Sequence, residues 1–169
     1  MRNGNGLISD IALGAAAGLA ATWAMGLATT FLYEHEDEEA RAKEDRVRGG
    51  RTAYEIAAEK IAGVMGRQLS DEERRRFAAG LHWGLGAAAG SAYAAMRGRV
   101  PRASAGHGLA FGTAFFGLVD EGANTALGFT PPPRAFPWQA HARGLAGHLV
   151  FGLVTETLLS AADRLRPHP

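Results

Sequence analysis

The sequence predicts an all-α fold: a polytopic membrane helix bundle of about four transmembrane helices plus an amphipathic helical loop, forming a single membrane domain over residues 1–169. Three observations lead there. Ile11 to Tyr33 is a run of 23 residues without a charge, against the roughly 20 that a helix needs to cross the hydrocarbon core. Three further runs, about 77–96, 104–127 and 138–162, are rich in Gly, Ala, Leu and Phe. Many charges of both signs crowd between Glu34 and Arg76, so a mean hydropathy of -0.08 averages two kinds of sequence.

Residues 1–10 are short and polar, carry Arg2 and lack a small-residue cleavage site, unlike a removable signal peptide. The first span, 11–33, carries Gly14 and Gly18 as a GxxxG, extended at the same spacing by Thr22 and Gly26, so another helix can approach it closely. Residues 34–76 form the extramembrane part. Its charged start is helix-compatible up to a break at Gly49-Gly50. Thr52 to Glu55 fits a capping box opening an amphipathic helix with Ile56, Ile61, Val64 and Met65 on one face. Ser70 to Glu73 is a second capping box, launching a helix into the second span, 77–96. His35 beside the acidic run from Glu34 to Glu39 raises a cation site against a solvated connector.

Low Leu and high Gly and Ala content place the second span in the middle of the bundle, with Gly84 as a packing position. Trp83 reads as an interfacial anchor, while His82 either bonds a backbone carbonyl or lines a polar cavity. The third span, 104–127, is interrupted by Asp120, Glu121 and Asn124. Glu121 and Asn124, at i and i+3, are neighbours on one helical face; either the helix ends near Asp120 or these groups face a polar interior. A proline-rich connector follows, with Phe136 and Trp138 as interface anchors and Pro137 opening the fourth span, 138–162. Four spans put both termini and the Arg97, Arg99, Arg102 connector on one side. With Arg2, Arg164 and Arg166 that side is basic, which favours cytoplasmic termini, although the basic residues of the first loop count the other way.

The absence of cysteine excludes disulfides, thiolate metal sites and cysteine nucleophiles. A net charge of +1 gives no general attraction to nucleic acid. There is no phosphate loop, no G-x-S-x-G elbow and no dinucleotide fingerprint in strand context. Chemistry falls instead on ionisable groups within apolar runs, which are costly at membrane depth. His141, His148 and Thr155 are seven residues apart and share a face, with Gly144 and Gly152 close to it as packing positions; in an antiparallel bundle His82, Glu121 and Glu156 join them. Three roles stay open. The groups hand on a proton or cation; His82, His141 and His148 bind a metal or haem; or the groups hydrogen-bond across helices and fix the packing. Arg143 either snorkels to the interface or pairs with Asp120 or Glu121. A soluble Ala-rich bundle is the remaining alternative.

The runs AATWAMGLATTFLYEHED, AYEIAAEK, HWGLGAAAGSAY, GTAFFGLVDEGANTALGFTPPPRAFPW and HARGLAGHLVFGLVTE, together covering most of the chain from Gly14 to Glu156, resemble the YagU-like family of small bacterial inner-membrane proteins. The resemblance implies a multi-pass inner-membrane protein associated with acid tolerance, and it carries no catalytic residue set. The expected function is non-enzymatic support of envelope or proton homeostasis. The alternatives are an accessory subunit of a larger membrane complex, or a His-ligated metal or haem protein. The expected partners are the lipid bilayer and a homo-oligomer or other membrane subunits.

Overall fold

Helix α1 spans Gly4–Glu34, beginning before the predicted first span and ending one residue past it. The computed structural model describes residues 4–165, with side chains from Leu7 onward; Arg2 and Arg166 lie outside them. After a short turn, α2 covers Glu38–Arg48, where Asp37 accepts hydrogen bonds from the Glu39 and Ala40 amides. It stops where Gly49 takes φ 60°, a left-handed conformation that costs glycine little. Thr52 and Ser70 both build the reciprocal boxes expected of them, with Glu55 and Glu73, and so start α3 (Ala53–Val64) and α4 (Asp71–Met96).

The third apolar run departs from its predicted form. Residues 97–108 are turns rather than helix, and the helix begins at Leu109. It runs as α5 (Leu109–Phe115), widens into a π-helix over Phe116–Ala123, and ends as α6 (Asn124–Ala126). A π segment carries Asp120 and Glu121 without a break, so the helix does not terminate at the acidic pair. Its last helix, α7, covers Trp138–Leu165 and starts directly after Pro137. Among the described residues every regular element is helical.

α1 is the centre of the bundle, packed on α4 along one side and α7 along the other; α5 lies on α7, and α3 on α4. Small residues set these seams. A Cβ on Gly18 would run into the Gly86 carbonyl, and one on Gly90 into the Gly14 carbonyl, so four glycines bring the two backbones together. Thr22 hydrogen-bonds the Gly18 carbonyl at 2.8 Å and fills the space beside Gly86. In the seam of α5 and the π-helix with α7, Gly108 and Gly152 meet backbone to backbone, as do Gly112 and His148, while Gly144 receives Phe116. Gly84 is the exception among the expected packing glycines: nothing lies within 4 Å of a Cβ built on it, because it sits on the outward face of α4. The partners in the α1 seam are Gly86 and Gly90 instead.

α3 buries Ala57, Ala58 and Ala62. Its predicted apolar face is turned out, with Val64 91% exposed and Ile61 and Met65 exposed beside it. Large apolar residues also cover the outside of α1: Ile8, Ile11, Leu19, Trp23, Leu27 and Phe31 are all exposed. Two helices, Leu7–Glu34 and Trp138–Leu165, are long and apolar enough to cross a membrane. α4 opens with the charged turn from Asp71 to Arg76, and the run from Leu109 to Ala126 contains the acidic pair, so neither reaches that level by itself. Trp83 and Trp138 are exposed. Phe136 lies half-buried under the Arg48 guanidinium at 5.4 Å and edge-on to His141 at 6.4 Å.

Candidate functional site

The polar residues expected to form one core divide between the two ends of the bundle. At the end where the start of α1, the turn after α4 and the end of α7 meet, Glu156 is buried and accepts a 2.7 Å hydrogen bond from the Tyr93 hydroxyl. Arg97 donates to Glu156 at 3.2 Å and pairs with Asp163, while Ser160 donates to Glu156 at 2.7 Å. This is a closed network: a buried carboxylate satisfied by three donors. Glu156 therefore does not join the histidines. Between the two ends stands a stack of rings. Tyr93 and Phe111 are 4.6 Å apart by centroid, Phe115 and Phe151 5.4 Å, and Phe115 and His148 5.0 Å.

At the opposite end, the C-terminus of α1, α2, the N-terminus of α3, the π-helix and the start of α7 surround a cavity of about 450 Å³. Asp120, Glu121, Asn124, His141 and Arg143 all line it. His82, Asp120 and His148 meet in a small recess behind, which Tyr54 also borders. Five of the expected polar residues thus share one cavity, and two more sit behind it at Asp120.

Within this set the contacts are specific. His148 donates through Nδ1 to the Gly144 carbonyl at 2.9 Å, and the same nitrogen is 3.8 Å from Asp120 Oδ2. Rings of Phe115 and Phe116 flank it. The Nδ1 of His82 is buried with no hydrogen-bond partner, and its ring rests edge-on to Tyr54 at 4.9 Å. Asn124 donates to Asp120 at 3.5 Å, an i,i+4 contact, rather than to Glu121.

His141 is bonded at both ring nitrogens, Nδ1 to Glu121 Oε1 at 2.7 Å and Nε2 to the Pro133 carbonyl at 3.0 Å. A carbonyl only accepts, so Nε2 must carry hydrogen. The Nδ1 contact then needs a second proton, on the imidazole or on the carboxyl. Either way the His141 and Glu121 pair holds one proton more than a neutral imidazole beside a carboxylate.

Arg143 neither snorkels outward nor pairs with the acidic pair on the π-helix. It reaches Glu36 and Glu44, both nearly inaccessible, and lies over the Tyr33 ring at 4.9 Å. Arg48 adds a 2.8 Å bond to Glu44. Burial pushes the Glu44 carboxyl up, but the hydrogen bonds from Arg143 and Arg48 outweigh it and hold the group below its ordinary range. Tyr54, at the cavity wall, is pushed up to about 12 by burial, with the Asp120 charge adding to it. Sequence reading missed Tyr54, Glu36, Glu44 and Arg48 as parts of this site, because Glu36 was read in a solvated acidic run, Glu44 and Arg48 in a charged extramembrane helix, and Tyr54 inside a capping box.

Among the described residues, no three His, Asp or Glu side chains are arranged to hold a metal ion, so His82, His141 and His148 do not converge as a ligand set, and the acidic run beside His35 forms no such cluster. The arrangement sets imidazoles against carboxylates along the wall of one cavity. Comparisons with protein-family models, curated proteins and solved structures return no match.

Proposed function

We propose that this chain is a small, non-enzymatic, multi-pass protein of the bacterial inner membrane that supports proton balance, as its resemblance to YagU-like proteins implies. In this reading its polar cluster takes up protons from one face. The observation that carries the reading is the doubly bonded His141, whose contacts to Glu121 and the Pro133 carbonyl offer a place for a shared proton. The neighbouring His148, Asp120 and His82 extend the same store inward. The ring stack from His148 to Tyr93 supports one-sided exchange, since it sets aromatic surface between the two polar groups. Membrane residence is supported by the two long apolar helices and by the large apolar side chains exposed along α1. In the four-span arrangement α4 and the Leu109 to Ala126 run are held at membrane depth by their glycine seams with α1 and α7.

The test is an acid step applied to vesicles holding the purified protein, read with a pH-sensitive dye on each side in turn. Uptake above that of empty vesicles is expected from one side, and Glu121→Gln should lower it while leaving the melting temperature within a few degrees. Uptake equal to that of empty vesicles would remove the reading. A second reading, an accessory subunit of a larger membrane complex, draws on the outward face of α4, where Gly80, Gly84, Ala88 and Ala92 recur every fourth residue and lie exposed. Gly80→Leu should then abolish co-purification of partner chains from detergent extracts.

A further inference from the structure

We infer that the cavity beside the proton store binds an organic monocation of the amine or guanidinium class, and that each one bound displaces one proton. The inference rests on the proton-balance reading above and names what the same site exchanges its proton for. A proton alone needs no cavity of about 450 Å³, which is large enough for a drug-sized molecule. The lining combines aromatic and apolar surface (Tyr54, Phe116, Met25) with more carboxylates than guanidiniums: Glu44, Asp45, Asp120 and Glu121 against Arg48 and Arg143.

The chain's own cations indicate what the walls accept. Arg143 is seated between two carboxylates with its guanidinium over the Tyr33 ring, and Arg48 is seated on Glu44 with its guanidinium over Phe136. Twice, then, a planar cation lies on a ring and against an acid, a combination strengthened when water is excluded. Glu44 is consumed by those two arginines. Asp45 takes the Tyr33 hydroxyl at 3.2 Å. That leaves Asp120 and Glu121, whose partners are an amide and two imidazoles, as the carboxylates a guest can recruit. Beside them the Thr125 hydroxyl oxygen, in the same wall, makes no hydrogen bond.

The charge balance follows. In the proton-loaded state the Glu121 and His141 pair is neutral overall. A cation held against Glu121 favours the ionised carboxylate beside a neutral imidazole, so the extra proton leaves to solvent and the net charge of the cavity is preserved. The charged or titratable groups that face this pair are Tyr33 from α1, Arg48, Asp45 and Glu44 from α2, Tyr54 from α3, His82 from α4, Asp120 from the π-helix, and Arg143 and His148 from α7.

Ethidium, a planar aromatic monocation bearing amines, is the probe. Its fluorescence reports binding to the detergent-purified protein, while a dye in weak buffer reports proton release. Saturable binding is expected with about one proton released per ethidium, weakening as the pH is lowered. Asp120→Asn and Glu121→Gln should each weaken binding roughly tenfold or more, and Glu72→Gln, on the exposed start of α4, should leave it unchanged. Proton release by the wild-type protein keeps the test decisive should either cavity variant fail to fold. No binding, binding without proton release, or wild-type affinity in both folded cavity variants would overturn the inference. If acid-step uptake persists in vesicles while ethidium fails to bind, the inference falls alone and the proton-balance reading stands.

Discussion

Glu44 and Arg143 show how far a single side chain can depart from what its neighbours in sequence suggest. Glu44 stands in a segment of alternating charges, yet its side chain is 3% exposed and takes both Arg143 and Arg48. Removing Arg143 would leave Glu44 with Arg48 alone and take the guanidinium from Glu36, a loss of part of the ~3–5 kcal/mol that breaking a buried pair costs. Arg143→Ala is therefore expected to lower the melting temperature clearly and to free α2 to exchange its amide hydrogens. The pH dependence has a definite sign. A carboxyl held low in the folded state contributes stability above its unfolded value, near pH 4.3, and loses it as the pH falls through the lower folded value. Hydrogen exchange of α2 should accordingly stay slow at neutral pH and rise only below the ordinary carboxylate range. At this scale the sequence grouped His82, Glu121, His141, His148 and Glu156; the structure puts Glu121 and His141 at one cavity, His82 and His148 in the recess behind Asp120, and Glu156 at the other end. Sequence reading missed Glu44 because a charged helix looks solvated unless its long-range partner is known.

At the scale of elements, the helices with strong local signals were readable and the seams only in part. Both capping boxes and the stop at Gly49 are local chemistry, and all three stand where the residues put them. The GxxxG of α1 was legible too, but its partner was not, since α4 carries Gly80, Gly84, Gly86 and Gly90 and only the packing decides which two face inward. That difference is measurable. Gly18→Leu drives a side chain into the Gly86 carbonyl and should cost more than the ~1–3 kcal/mol of ordinary overpacking. Gly84→Ala meets open space and should leave the melting temperature unchanged or slightly raised. The π-helix had no sequence signature beyond its polar residues, because i to i+5 winding is a tertiary compromise that brings Asp120 towards His148 and Glu121 towards His141.

For the whole molecule, the start of α1, the Arg97 turn and the end of α7 come together at one end of the bundle. The absence of cysteine makes this easy to probe. Single cysteines placed at Arg99 and Arg164 should react with an impermeant thiol reagent from one side of sealed vesicles, and one at Arg67 from the other. Cysteine at Trp23, midway along α1, should resist the reagent until detergent is added. Labelling of Arg67 and Arg99 from the same side would refute the four-span topology. What the sequence could not show was that the polar residues form two separate groups, because a helical face fixes direction around an axis and not which neighbours occur at each depth.

The glycine seam between α1 and α4 also bears on biogenesis. α1 emerges first from the ribosome and meets the hydropathy requirement unaided, whereas α4 follows after a long charged segment and begins with an acidic and arginine-rich turn. In a bilayer α1 would already be in place, presenting the groove at Gly14 and Gly18, before α4 is synthesised. The groove then acts as a receptor for a helix with little claim of its own on the lipid, so that a change at Gly18 would register first as failed insertion and degradation of the nascent protein.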